Sequence, residues 1–249
     1  MHTLISIKNT LILATVIPIG KIMNTIPLLQ YLVPFLGATL GMGIAYSVKP
    51  KTPTGFKLIL AFSGAFLLGI TLFHLLPEVF QMSNSKAGVW IVAGLVTQIL
   101  LEYLSQGAEH GHAHARPNAT LPRLLLFSLC LHAFIEGLPL ATQLPLVWGI
   151  FIHKIPIGMV LFFLLWPSKT HKIVKLLGLF LFAIMTPLGT FTLVHSPVLQ
   201  EWEMPIVALV IGMLLHISTT ILFESNQGHA FNIQKLLTIL LAFAISYFI

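Results

Sequence analysis

Apolar residues run along this chain in blocks of about twenty, and polar residues gather in the gaps between them. A helix that crosses a bilayer needs ~20 predominantly apolar residues. Eight blocks meet that length: residues 28–48, 57–81, 87–106, 121–142, 144–166, 172–194, 204–224 and 231–249. The gaps are short apart from 107–120. This pattern predicts an all-α membrane protein, a bundle of eight transmembrane helices. Residues 1–26 form a separate N-terminal apolar segment. Within it, residues 4–19 have no basic region before them and no small-residue cleavage site after them. They therefore read as an additional N-terminal helix, crossing or interfacial, and not as a cleaved signal. Proline falls inside several blocks, at Pro77, Pro139, Pro145, Pro156 and Pro187. Each removes a ladder hydrogen bond and frees a carbonyl about four residues earlier. Pro139 and Pro145 mark the turn between the fourth and fifth blocks.

Composition sharpens this picture. Of the 249 residues, 57% are hydrophobic and 8% charged, against about 25% charged in a soluble domain. The net charge of +6 is no nucleic-acid signal, because the basic residues sit at block ends. Nine of them, Lys49, Lys51, Lys57, Arg116, Arg123, Lys169, Lys172, Lys175 and Lys235, fall after the first, third, fifth and seventh blocks. Lys86 alone falls in the alternate gaps. The positive-inside rule then makes the 107–120 loop cytoplasmic and puts the C-terminus outside, in a multi-pass protein of the cell membrane. The single Cys130 excludes a disulfide framework and a Cys-based zinc cluster.

Against this oily background the ionisable residues stand out. A charge at bilayer depth costs about 2.5 kcal/mol or more on insertion scales. His132 and Glu136 lie four apart in the fourth block and so share a helix face. His153 in the fifth block lies within about two turns of the Pro139–Pro145 bend and can reach the same level. Two imidazoles and a carboxylate suit a first-row divalent ion; they also suit a His–Glu hydrogen bond that ties the bundle. His74 and Glu78 repeat the four-residue spacing near the outer end of the second block. They read as an entrance site or as a solvated helix end. His110, His112 and His114 follow Glu109 in the long loop, as a metal trap or a polar linker. Weaker signals are Gln98 with Glu102, which can line the inner mouth or meet a loop His, and His216 beside Ser218, Thr219 and Thr220. Gly37 and Gly41 make a small-residue face fit for helix packing or for a homodimer.

Together these motifs resemble the ZIP (ZRT/IRT-like) family of divalent metal transporters. The resemblance covers residues 27–249, a ZIP-like transmembrane domain with the His-containing cytoplasmic loop 107–120. It rests on His74-Leu-Leu-Pro-Glu78, on His132-x-x-x-Glu136-Gly137, on His153-x-Ile155-Pro156-x-Gly158 and on Thr186-Pro187-Leu188-Gly189. The family's site usually holds two adjacent metals, and four positions here depart from it. Ala133 stands where Asn is usual, Lys154 where an acid is usual, and Ile157 where a second ligand is usual. Thr186 stands where some members carry Glu.

The resemblance implies metal uptake toward the cytoplasm, with Zn²⁺ favoured and Fe²⁺ or Mn²⁺ open. The cargo is a divalent ion, the surroundings a lipid bilayer, and no catalytic cofactor is expected. An ammonium about 4 Å from a cation repels it by roughly 4 kcal/mol per unit charge product at an effective dielectric of 20. The expectation is therefore a single metal on His132, Glu136 and His153, with Lys154 replacing the second. Rival readings are a transport-dead metal sensor on the same scaffold, an intramembrane zinc enzyme and a bis-His haem carrier. The enzyme would need a further base, and Asp is absent from the chain.

Overall fold

The computed structural model describes residues 27–47, 53–82, 86–105, 123–224 and 233–249. The N-terminal segment and the three loop histidines lie outside these residues. Every described element is helical, as lipid requires, since a helix satisfies its own backbone. In chain order they are α1 (Pro27–Ser47), α2 (Pro53–Ile70), a π turn (Thr71–Leu75), α3 (Leu76–Met82) and α4 (Ala87–Ser105). Then come α5 (Arg123–Gly137), a 3-10 turn (Leu138–Ala141), α6 (Leu144–Leu165), α7 (Lys172–His195), α8 (Pro197–Glu201), α9 (Glu203–Glu224) and α10 (Ile233–Tyr247). Among the described residues, seven spans are long and apolar enough to cross a membrane, with α2, the π turn and α3 acting as one. The described part of the last, α10, has 15 residues, about 22 Å at 1.5 Å per residue.

The prolines act in three ways. Pro139 lies in the 3-10 turn and Pro145 in the first turn of α6, where a missing N–H costs nothing. Pro156 and Pro187 are carried inside continuous helices. Before Pro77 the helix widens into the π turn. Pro77 cannot donate to Phe73 and its ring crowds that carbonyl, so a wider turn relieves the conflict.

The helices pack as two groups. α1, α5, α6 and α7 form one, and α2, α4, α9 and α10 form the other, joined through α2 with α6 and α4 with α5. Within each group glycines bring backbones into contact. A Cβ on Gly137 would strike the Thr186 carbonyl, and one on Gly189 the Phe134 carbonyl, so α5 and α7 meet without side chains between them. Gly94 and Gly212 do the same for α4 and α9, against Leu209 and Ile91. Gly37 and Gly41 press on the Phe151 and Ile155 carbonyls of α6, so this face packs inside the chain. The α4–α9 contact gives a direct test. Gly94→Ala should cost about 1–3 kcal/mol by overpacking, seen as a lower melting temperature in detergent. Gly43→Ala, where a Cβ meets nothing within 4 Å, should be neutral or slightly stabilising.

Candidate metal centre

The three residues that sequence spacing brings forward converge. His132, Glu136 and His153 are buried, at 3%, 0% and 1% exposure. One ligand atom from each lies within 4.8 Å of the others. Two features of the fold bring them together. The i,i+4 spacing puts His132 and Glu136 on one face of α5. The 3-10 turn then reverses the chain so that α6 returns with His153 and Lys154.

Each ligand is oriented by a neighbour. The Gln98 side-chain oxygen accepts from His132 Nδ1 at 2.9 Å. On the other side of the ring, His132 Nε2 stands 3.2 Å from Glu136 Oε2. That carboxylate oxygen accepts no hydrogen bond among the described residues. Ser63 on α2 sits 3.4 Å from His153 Nδ1, the same kind of second contact that fixes a ligand imidazole's ring. Gln98 and Ser63 belong to one helix group and the ligands to the other, so the centre lies on the seam.

The other oxygen of Glu136 is taken. Its Oε1 pairs with the Lys154 ammonium and accepts from the Thr186 hydroxyl at 3.2 Å. Lys154, 2% exposed, also lies 4.3 Å over the Phe182 ring, a favourable placing for a cation. Thr186 is held at this height by the Gly137 contact and by Thr190, whose hydroxyl donates to the Gly137 carbonyl at 2.8 Å. Ala133 and Ile157, which offer no donor atom, are buried in an apolar cluster with Cys130, Leu161 and Phe182. A single carboxylate thus faces a tethered cation with one oxygen and an imidazole with the other.

The remaining candidates lie elsewhere. His74 Nε2 donates to the Ser246 carbonyl of α10 at 2.8 Å. Glu78 accepts from the Gln143 amide at 3.1 Å. The two therefore face different neighbours despite their spacing, because the π turn ends between them. His216 meets Glu102 across α9 and α4 and stands apart from the central three. Ser218, Thr219 and Thr220 each donate to a carbonyl of their own helix. Ser63, Gln143 and Phe182 are contacts that sequence reasoning missed. A lone serine or phenylalanine in an apolar run carries no spacing signal, and only the neighbouring helix reveals what it touches.

A family model described as ZIP Zinc transporter matches residues 105–249. The matched stretch includes His132, Glu136, His153, Lys154, Thr186 and His216. A comparison with curated proteins gives no match.

Proposed function

The chain belongs to the ZIP zinc transporter family, and on that footing we propose that it carries one divalent cation at a time, Zn²⁺ by preference, into the cytoplasm. The ion binds to His132 Nε2, Glu136 Oε2 and His153. Lys154 holds the other oxygen of Glu136 and occupies the place of a second cation. The observation that carries this reading is the divided carboxylate of Glu136. One oxygen is engaged by the ammonium, and the other stands 3.2 Å from His132 Nε2. Two imidazoles and one carboxylate suit Zn²⁺, while Fe²⁺ and Mn²⁺ accept the same donors. Water or a further protein oxygen completes the shell.

A tethered ammonium gives the empty carrier a neutral centre, since it balances Glu136. The incoming ion meets a site with one available carboxylate oxygen, so binding is weaker than in a two-acid site and release is easier. On this reading the charge bias sets the end of the second span that carries His74 and Glu78 on the side from which the ion enters.

The test is uptake of radioactive zinc into proteoliposomes alongside equilibrium binding. Wild-type protein should bind one ion at the centre and move it, and His132→Ala should abolish both. Binding without flux would instead make the protein a metal sensor on a transporter scaffold. Undiminished flux in His132→Ala would sink the site assignment.

A further inference from the structure

Away from the metal centre, α5 and α7 enclose a groove of about 460 Å³. Leu126, Cys130 and Phe134 line it from α5, and Leu181, Met185 and Leu188 from α7. On each helix these positions recur every three or four residues, so one apolar stripe faces the other. Arg123, the first residue of α5, closes one end. Among the described residues, no carboxylate lines the groove.

The two helices run side by side in the same direction. A Cβ on Gly178 would touch Leu126, and one on Gly189 the Phe134 carbonyl, so residue numbers rise together along both. Arg123 and Lys175 therefore start the two helices at a similar level, with Lys172 a turn further out. The Lys175 ammonium donates to the Trp166 carbonyl, whereas Arg123 and Lys172 are exposed. The groove thus has one basic end and an apolar remainder.

Length decides what fits it. From Arg123 to Phe134 the α5 axis rises about 16 Å, at 1.5 Å per residue. Half of a hydrocarbon core about 30 Å thick is about 15 Å. A groove of this length, starting at a basic residue, matches the acyl chain of one leaflet. The stem of an Arg lies along apolar surface while its guanidinium reaches the headgroup level. There it can hold a phosphate through two N–H groups.

We propose that this groove binds one anionic phospholipid, with an acyl chain lying between Leu126 and Phe134 and the phosphate on Arg123. A zwitterionic lipid offers the same chain, but its ammonium offsets the phosphate charge, so the basic end favours the anionic headgroup. The bound chain also covers the lipid side of the centre. Cys130 belongs to the apolar cluster that holds Phe182, and Met185 packs against it; Phe182 is the ring beneath the Lys154 ammonium.

The test is native mass spectrometry of purified, delipidated full-length protein, titrated with phosphatidylglycerol and with phosphatidylcholine of the same chains. One phosphatidylglycerol per chain should bind ahead of phosphatidylcholine. Arg123→Gln should weaken phosphatidylglycerol about fivefold, the worth of one basic group at an anionic surface, and leave phosphatidylcholine unchanged. Leu181→Trp, which fills the groove from a half-exposed wall position, should remove the tight lipid of either kind. Soluble glycerol phosphate should not compete, since the chain carries most of the binding. The proposal is overturned if Leu181→Trp melts normally and keeps the lipid at wild-type affinity. It is equally overturned if Arg123→Gln keeps the wild-type preference, a result that decides the matter even where Leu181→Trp fails to fold. Equal binding of both lipids to the wild type would mean exchangeable surrounding lipid only. A dimer broken by Leu181→Trp and untouched by lipid would give the groove to a second copy of the chain.

Discussion

Glu136→Gln should abolish metal binding and, by itself, leave the protein severely destabilised. Lys154 is 2% exposed, and Glu136 is its counter-ion. Taking away one member of a buried pair leaves an uncompensated charge, at a cost of about 3–5 kcal/mol. A dead single variant would therefore not separate lost ligation from lost folding. The double variant Glu136→Gln/Lys154→Met separates them. Removing both charges of a buried pair is often neutral or stabilising, so its melting temperature should return to the wild-type value or above it. Zinc binding and uptake should stay absent, because Gln keeps the shape but not the charge of the ligand. A double variant that melts normally and still binds zinc at wild-type affinity would remove Glu136 from the site.

Lys154→Met should act in the opposite direction. It takes a positive charge away from the proposed metal site. Repulsion at ~4 Å and an effective dielectric of 20 amounts to roughly 4 kcal/mol per unit charge product. Even a third of that is about tenfold in Kd. The same change leaves the Glu136 carboxylate without its ammonium, so the metal-free protein should melt earlier. Zn²⁺ should then raise the melting temperature further than it does in wild type, since an ion that binds only the folded state stabilises it by mass action. Tighter binding with slower uptake is the expected outcome, read by calorimetry and by liposome flux. Unchanged affinity would mean that Lys154 does not compete with the cargo. Restoring the family-type residues together, Ala133→Asn, Lys154→Asp and Ile157→Glu, would ask whether two ions then bind.

Much of this was legible along the chain because it is local. Lipid forces the backbone into helices, so runs of apolar residues mark the spans, and the described helices agree with the eight blocks to within a few residues. The four-residue spacing of His132 and Glu136 puts them on one face whatever surrounds them. The Pro139–Pro145 bend makes α5 and α6 sequential neighbours, so His153 could be set beside them. Lys154, Ala133 and Ile157 were visible as departures from a pattern.

What was not legible depended on helices distant in sequence. His74 and Glu78 share the same spacing as His132 and Glu136, yet one turns to α10 and the other to Gln143. Spacing gives a face but not what lies opposite it, and a π turn shifts that face by an extra residue. Glu102 was open to a loop histidine or to the inner mouth, and packing of α4 on α9 brought it to His216. Gly37 and Gly41 suited a partner chain as well as a neighbouring helix, until α6 was seen to fill that face.

By itself the sequence determined the membrane class, the spans and the set of side chains able to ligate an ion. The tertiary structure alone decided which oxygen of Glu136 faces Lys154 and which faces His132. Rotation and height of one helix against another follow from glycine contacts and side-chain packing between residues far apart in the chain, and no periodicity within a single helix records them.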